Sequence, residues 1–266
     1  MSLAQTVDIG ALAQKRLALL GNPNCGKTAL FNRLTGSQQK VGNYAGVTVE
    51  LKRGLMKTAA GRSVSVVDLP GTYSLHAGSE DEAVACSVVL GRSLQERAPD
   101  LTAVIVDATR LRRGLRLAAA LRRLQVPLVL VVNMMDRVRA QGRELDLAKL
   151  ERAMGVPVVE ATGIVPHGAD DLCALLDRPG LWPRSAAATP LATTNEQVQG
   201  LDAEAAEAAA DDAQAHAWLA EAGLDQALPH HAWSRRLDTV LLHPLLCFSI
   251  SSIISINFSA GSLNTS

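Results

Sequence analysis

Aromatic residues are scarce: three Phe, three Trp and two Tyr stand among 266 residues. With apolar residues at 48% of the chain, the sequence predicts a core built from aliphatic side chains. Cysteine is equally sparse. Cys25, Cys86, Cys173 and Cys247 have neither the spacing of a metal site nor that of a disulfide framework, and fit a reducing, cytosolic compartment. No signal peptide is visible, and no apolar run has the length of a membrane span. Leu245–Phe258 comes closest, but it is short and broken by Ser249, Ser251, Ser252 and Ser255. Net charge is also absent, with 26 basic and 26 acidic residues. The balance is uneven along the chain. Between Ser185 and Ser234 there is no Lys or Arg, against eight acidic residues. Such a shift predicts a domain boundary between Pro179 and Pro190.

What is present is an alternation of short apolar runs and amphipathic stretches, the pattern of an α/β domain with a mainly parallel sheet. The runs predict six strands: 16–20, 49–56, 63–68, 101–107, 127–133 and 156–160. Helices are predicted to begin near Lys27, Glu80, Gly114, Asp146 and Gly168. The strands flanking Ala59-Ala60-Gly61 are close enough to form a hairpin, giving one antiparallel edge strand. Ala186–Thr194 has the character of a linker. Asn195–Ala222 is rich in Ala, Glu, Asp and Gln and favours helix, and a second helix is predicted over His231–Leu242. The expected organisation is a nucleotide-binding domain over 1–180, a small all-α domain over 181–244, and a Ser/Ile-rich tail over 245–266 to which no function is assigned.

The stretch Gly21-Asn22-Pro23-Asn24-Cys25-Gly26-Lys27-Thr28 is a complete G-x-x-x-x-G-K-T phosphate loop between a strand and a helix. Glycines let backbone N–H groups fold around phosphates at a helix N-terminus. Gly21, Asn22, Asn24, Cys25, Gly26, Lys27, Thr28 and Ala29 are thus candidate nucleotide contacts, with Lys27 reaching the β/γ-phosphates and Thr28 binding Mg²⁺. Cys25, beside Lys27 and a helix N-terminus, has a setting that could lower a thiol pKa, although a small loop filler is the simpler reading.

Three further motifs follow in order. Asp68-Leu69-Pro70-Gly71 ends the run Val64–Val67; Asp68 is placed to hold the Mg²⁺ water shell and Gly71 N–H to meet a γ-phosphate. Gly42–Thr48 has the glycines of a mobile switch, with Gly46 and Val47 lining the nucleotide and Thr48 completing the metal shell. Asn133-Met134-Met135-Asp136 ends another strand; a carboxylate at Asp136 accepts from the N1–H and N2–H₂ edge of guanine, which adenine lacks, so GTP is favoured over ATP. Thr162-Gly163 is placed to bring backbone N–H groups near guanine O6. Together these predict a GTPase whose catalytic groups are Lys27, Thr48, Gly71 and Asn24. The six His residues show no ligand spacing.

The chain resembles the translation-factor-type small GTPases and, more closely, the cytosolic part of the bacterial ferrous iron transport protein B family. Gly21–Thr28, Gly42–Glu50, Asp68–Leu75 with Ser79-Glu80-Asp81-Glu82, and Asn133–Asp136 carry the match. The acidic helical segment and Arg236–Pro244 extend it over residues 15–245. The resemblance implies a P-loop GTPase fold with a six-stranded sheet and helices on both faces, followed by a small helical domain that influences GDP affinity. It also implies a polytopic membrane partner domain carrying Fe²⁺, a place on the cytoplasmic face of the inner membrane, and a fragment that is itself soluble. Homo-oligomers are left open. A K⁺ ion bridging the phosphates is implied too, with Asn24 as ligand and carbonyls near Asn43 and Tyr44 helping.

Two departures from the broad GTPase pattern bear on mechanism. Thr72 stands where many GTPases carry a water-orienting Gln, which predicts slow intrinsic hydrolysis. Met134 replaces the usual Lys of Asn-Lys-x-Asp, keeping its packing and losing its polar contact; weak binding and quick GDP release follow. Gly163 stands where the family often has Ala. Two other readings compete. The cluster Arg110, Arg112, Arg113, Arg116, Arg122 and Arg123 suits a ribosome- or RNA-associated GTPase, although a solvated helix face is the simpler account and the acidic segment downstream argues against nucleic acid. A nucleotide switch that barely hydrolyses is the other.

Overall fold

The computed structural model describes residues 14–36, 39–44, 49–182 and 201–224. In chain order the elements are β1 (Lys15–Gly21), α1 (Lys27–Thr35), β2 (Gln39–Asn43), β3 (Glu50–Lys57), β4 (Ser63–Asp68), α2 (Glu80–Val89), β5 (Leu101–Asp107), a 3₁₀ turn (Ala108–Arg110), α3 (Leu111–Arg123), β6 (Leu128–Asn133), α4 (Met135–Ala140), α5 (Leu147–Met154), β7 (Val158–Glu160), α6 (Asp170–Leu175) and α7 (Leu201–Glu221). The strands form one sheet in the order β2-β3-β4-β1-β5-β6-β7. From β4 through β7 all pairing is parallel, and β3 runs antiparallel to both neighbours.

The sheet therefore has seven strands where six were expected. The addition, β2, pairs with β3 through Lys40↔Arg53 and Val41↔Lys52 and takes the edge that β3 was expected to hold. Its sequence, Gln-Lys-Val-Gly-Asn, has one apolar residue, so it carries no period-2 signal; backbone pairing joins it to β3. The expected hairpin between β3 and β4 is present, closed by Thr58 and Arg62 and turned at Gly61, where φ is +80°. Helix α3 begins at Leu111, one turn before the expected Gly114, because the 3₁₀ turn leads into it. Helix α4 is six residues long, too short to show a helical period.

Side chains alternate across the strands, so the sheet builds two cores. Leu17, Leu19, Val64, Val66, Ala103, Ile105, Val129 and Val131 face α1 and α6, meeting Leu30, Phe31, Leu172 and Leu175. Ala18, Leu20, Val67, Val104, Val106, Leu130 and Val132 face α2, α3 and α5. The cores are aliphatic, as the composition predicts. Helix α3 approaches β5 so closely that a Cβ at Gly114 would overlap Val106.

The chain divides into the units Met1–Ala227 and Leu228–Ser266. Helix α7 belongs to the first and packs against α3 and α5. The linker, the helix expected over His231–Leu242, the family-like stretch Arg236–Pro244 and the tail lie outside the described residues. No helix among the described residues is long and apolar enough to cross a membrane.

Candidate functional site

The site forms at the C-terminal ends of β1, β4 and β6, where parallel strands turn into loops and helices, the usual position of a ligand crevice in such a sheet. Strand β1 ends at Gly21, whose place admits no side chain: a Cβ there would overlap the Ile105 carbonyl of β5. Gly26 caps α1 with φ +88°, and a Cβ there would overlap the Asn133 amide. Both glycines of the loop are thus required by close approach, and the second by conformation as well.

Beyond the loop, β4 lies beside β1 with Leu19 opposite Asp68. That register brings three predicted residues together. Lys27 Nζ donates to Asp68 Oδ1 at 2.8 Å, and the Thr28 hydroxyl donates to Asp68 Oδ2 at 3.2 Å. Asp68 is nearly buried. A hydroxyl and a carboxylate oxygen at one spot form a hard-oxygen pair that suits Mg²⁺. Gly71 lies against Pro23 of the phosphate loop. Asn24 is exposed with φ +64° and presents a neutral oxygen donor of the kind a monovalent cation accepts. Gly46, Val47 and Thr48 lie outside the described residues. Asn43 pairs in β2, and the Tyr44 hydroxyl meets Ser93 Oγ at 2.8 Å.

At the base end, Asn133 turns toward the protein. Its Nδ2 donates to the Cys25 carbonyl at 2.9 Å and its Oδ1 accepts from Met134 N–H at 2.8 Å. Asn133 therefore ties the end of β6 to the phosphate loop. Met134 takes a left-handed conformation, φ +62°, at the head of α4 and lies beside Gly26. Asp136 is exposed at the start of α4. Thr162 N–H donates to the Gly168 carbonyl at 2.6 Å. Gly163 rests on the first turn of α1, where a Cβ would overlap the backbone of Ala29 and Leu30; that accounts for glycine where an Ala is common.

Cys25 is buried, and burial pushes its thiol above the ordinary range despite the opposing amide and charge of Lys27. This agrees with the simpler reading of Cys25 as a small loop filler and not with a lowered thiol pKa. Cys25 fills space and presents its carbonyl to Asn133.

Glu82 was not read from the sequence as part of the site. Glu82 holds the loop after Asp68: its carboxylate accepts from Tyr73 N–H at 3.1 Å, Gly78 N–H at 2.9 Å and the Thr72 hydroxyl at 3.3 Å. Ser79 in turn accepts from Glu82 N–H at 3.3 Å and caps α2. The Ser-x-x-Glu spacing of a capping box was the signal available. Thr72 is fully buried, and its hydroxyl also donates to the Ser74 carbonyl at 2.6 Å.

His76, on the same loop, stands 3.9 Å from Glu204 and 3.4 Å from Glu207 of α7. Helix α7 also takes up much of the arginine cluster. Arg112 and Arg116 meet Asp212 at 2.9 and 3.5 Å. Arg123 meets Glu207 and Asp211 at 2.9 and 3.2 Å, and Arg122 lies over the Trp218 ring. The hydrogen bond from Arg112 holds Asp212 below the usual carboxylate range. The arginines lie on an exposed helix face, as the simpler reading has it, and acidic residues far away in sequence pair with several of them there.

A family model described as ferrous iron transport protein B matches residues 15–176. The Fe(2+) transporter FeoB of Escherichia coli K12 is 41% identical over 166 residues, covering 61% of this chain and 21% of that one. The Fe(2+) transport protein A/FeoB fusion protein of Porphyromonas gingivalis is 40% identical over 157 residues, covering 59% of this chain and 18% of that one. This chain thus spans about a fifth of the length of these relatives. Among solved structures, the cytosolic domain of the T. maritima FeoB iron transporter in a GDP form aligns with TM-score 0.56 and 33% identity, over 61% of this chain and 62% of that one. The cytosolic domain of L. pneumophila FeoB gives TM-score 0.55 and 38% identity, over 61% and 67%. With the family model spanning more than half of its residues and both phosphate motifs in place, this chain belongs to the ferrous iron transport protein B family.

Proposed function

We propose that this chain is the GTP-binding and GTP-hydrolysing regulatory part of a ferrous iron transporter, acting on the cytoplasmic face of the bacterial inner membrane. The observation that carries the reading is the convergence of Lys27, Thr28 and Asp68 beneath a glycine-capped helix. Lys27 would leave Asp68 for the β/γ-phosphates, and the N–H groups from Gly26 to Ala29 would cradle them. Asp136 would select guanine. Thr28, Asp68 and Thr48 would hold Mg²⁺, which supplies neutralisation of phosphate charge. Asn24 would hold K⁺. Gly71 N–H would meet the γ-phosphate. Slow turnover follows from Thr72, and quick GDP release from Met134. The domain reading is a GTPase over 1–180, a helical segment over 181–244 that relays the nucleotide state, and a tail over 245–266 leading toward a membrane part that carries Fe²⁺.

GTP hydrolysis in K⁺ and in Na⁺, with Asn24→Ala and Lys27→Ala beside the parent chain, tests this. Stimulation by K⁺ that Asn24→Ala abolishes is expected, with Lys27→Ala inactive in both salts. Equal rates in K⁺ and Na⁺ would remove the cation role. Negligible turnover in both would favour a switch that binds without hydrolysing, a second reading supported by the inward-bonded Thr72 hydroxyl.

A further inference from the structure

The end of the sheet opposite the phosphate loop carries an open, basic face. The pairs Lys40↔Arg53, Arg53↔Val67 and Leu55↔Ser65 put Lys40, Arg53, Leu55 and Lys57 on one side of the sheet. It is the side that α2, α3 and α5 cover nearer the nucleotide site, where Val67 is buried. Further along, the strand neighbours of Leu55 and Lys57 are Ser65 and Ser63, which are small. Leu55 is 44% exposed, and Lys40 and Lys57 are exposed as well.

The segment between α2 and β5 reaches the same face. Ser93 accepts from the N–H groups of Gln95 and Glu96 at 3.2 and 2.9 Å, closing a tight turn, and the Tyr44 hydroxyl meets it. Glu96 accepts from Arg53 Nε at 2.7 Å and pairs with Arg16. The turn is thus braced on both sides, and Leu94 between them is fully exposed. The acidic groups nearby are engaged: Glu96 lies between two arginines, and Asp100 accepts from Arg16 N–H at 2.8 Å and pairs with Arg97 at 3.1 Å. Lys40 and Lys57 have no acidic partner among the described residues, so positive charge is in surplus.

One exposed leucine is ordinary. Two on a basic rim match a bilayer surface, where anionic headgroups meet ammonium groups and the acyl boundary receives apolar side chains. We propose that this end of the sheet is a docking surface for an anionic phospholipid bilayer, with Lys40 and Lys57 on the headgroups and Leu94 and Leu55 at the acyl boundary. The inference rests on the proposed placement at a bacterial membrane. There, attachment to a membrane part would keep the face close to lipid, so weak intrinsic binding suffices.

The test sediments the chain with vesicles of equal parts phosphatidylglycerol and phosphatidylcholine, and with phosphatidylcholine alone, at millimolar lipid. Binding at least fivefold tighter to the anionic vesicles is expected, and weaker in high salt. Lys40→Glu with Lys57→Glu is expected to lower it at least tenfold, and Leu94→Ser at least threefold. Lys149→Glu with Lys40 and Lys57 intact, combined with Arg152→Glu, makes the same charge change on exposed positions of α5 and is expected to have a much smaller effect. The proposal is overturned if anionic vesicles retain no more chain than neutral ones, or if both double variants weaken binding equally. It is also overturned if Leu94→Ser binds as the parent does, which would leave a polyanion such as RNA as the ligand of the basic rim. GTP hydrolysis is measured on the same samples. Vesicle binding without turnover would overturn the GTPase reading alone, and turnover without vesicle binding the docking surface alone.

Discussion

Asn133 uses both ends of its amide inside the protein, which makes it a brace for the phosphate loop. Removing it leaves the Cys25 carbonyl without its buried donor and frees Gly26 from the contact that fixes it. Asn133→Ala is therefore expected to weaken GDP binding by roughly 10- to 100-fold, the effect of one or two lost buried hydrogen bonds, measured with a fluorescent GDP analogue; an unchanged affinity would show that the brace is dispensable. The site was legible at this scale where chemistry dictates residue type. Lys27, Thr28 and Asp68 meet as their motifs require. The inward turn of Asn133 was not legible, since the amide of an Asn-x-x-Asp motif suits either the protein or a ligand as its partner. Cys25 was read as a small loop filler, and its burial, not its charged neighbour, sets its thiol.

At the scale of elements, two local rules act against each other in α3. Glycine in a helix interior costs about 1 kcal/mol relative to Ala, yet Gly114 lets the helix lie directly on Val106. Gly114→Ala is expected to destabilise the fold by about 1–3 kcal/mol through overpacking, read from denaturant unfolding; stabilisation would mean that the helix can move away. The loop after Asp68 depends on Glu82 in a similarly local way. Glu82→Ala is expected to speed hydrogen exchange at the Tyr73 and Gly78 amides by about 10-fold, equivalent to roughly 1.4 kcal/mol, with no change in the amides of β5. Long apolar strands were readable because burial on both faces imposes them. Strand β2 and helix α4 were not, because one is held by backbone pairing and the other is shorter than two helical turns.

Across the molecule, charge fixes positions that local sequence does not. Glu96 is nearly buried between Arg16 and Arg53. Burial alone would raise its pKa, but hydrogen bonds from Arg53 and Arg16 outweigh it and hold the carboxyl below its ordinary value. A depressed folded pKa contributes stability above the unfolded value, about 4.3, and that stability is lost as pH falls through the folded one. Thermal stability is thus expected to drop below about pH 4, and Glu96→Gln to flatten that part of the profile; parallel profiles would assign the loss to other carboxylates. Helix α7 is held by pairs such as Arg123 with Asp211. A double-mutant cycle on that pair is expected to give about 0.5–1 kcal/mol, allowing for solvent screening, and less in high salt. The composition step after Arg184 disclosed the acidic segment but not its destination, which only the fold reveals.

The scarcity of aromatic rings makes this chain its own optical probe. Tyr44 is bonded to Ser93, and Tyr73, in the loop after Asp68, lies under Arg113. Trp218 is buried where α7 meets α3, and Trp182 lies in the opposite core. With Trp182 and Trp233 changed to Phe, a red shift from the remaining Trp218 would follow release of α7, while tyrosine absorption would follow the loops.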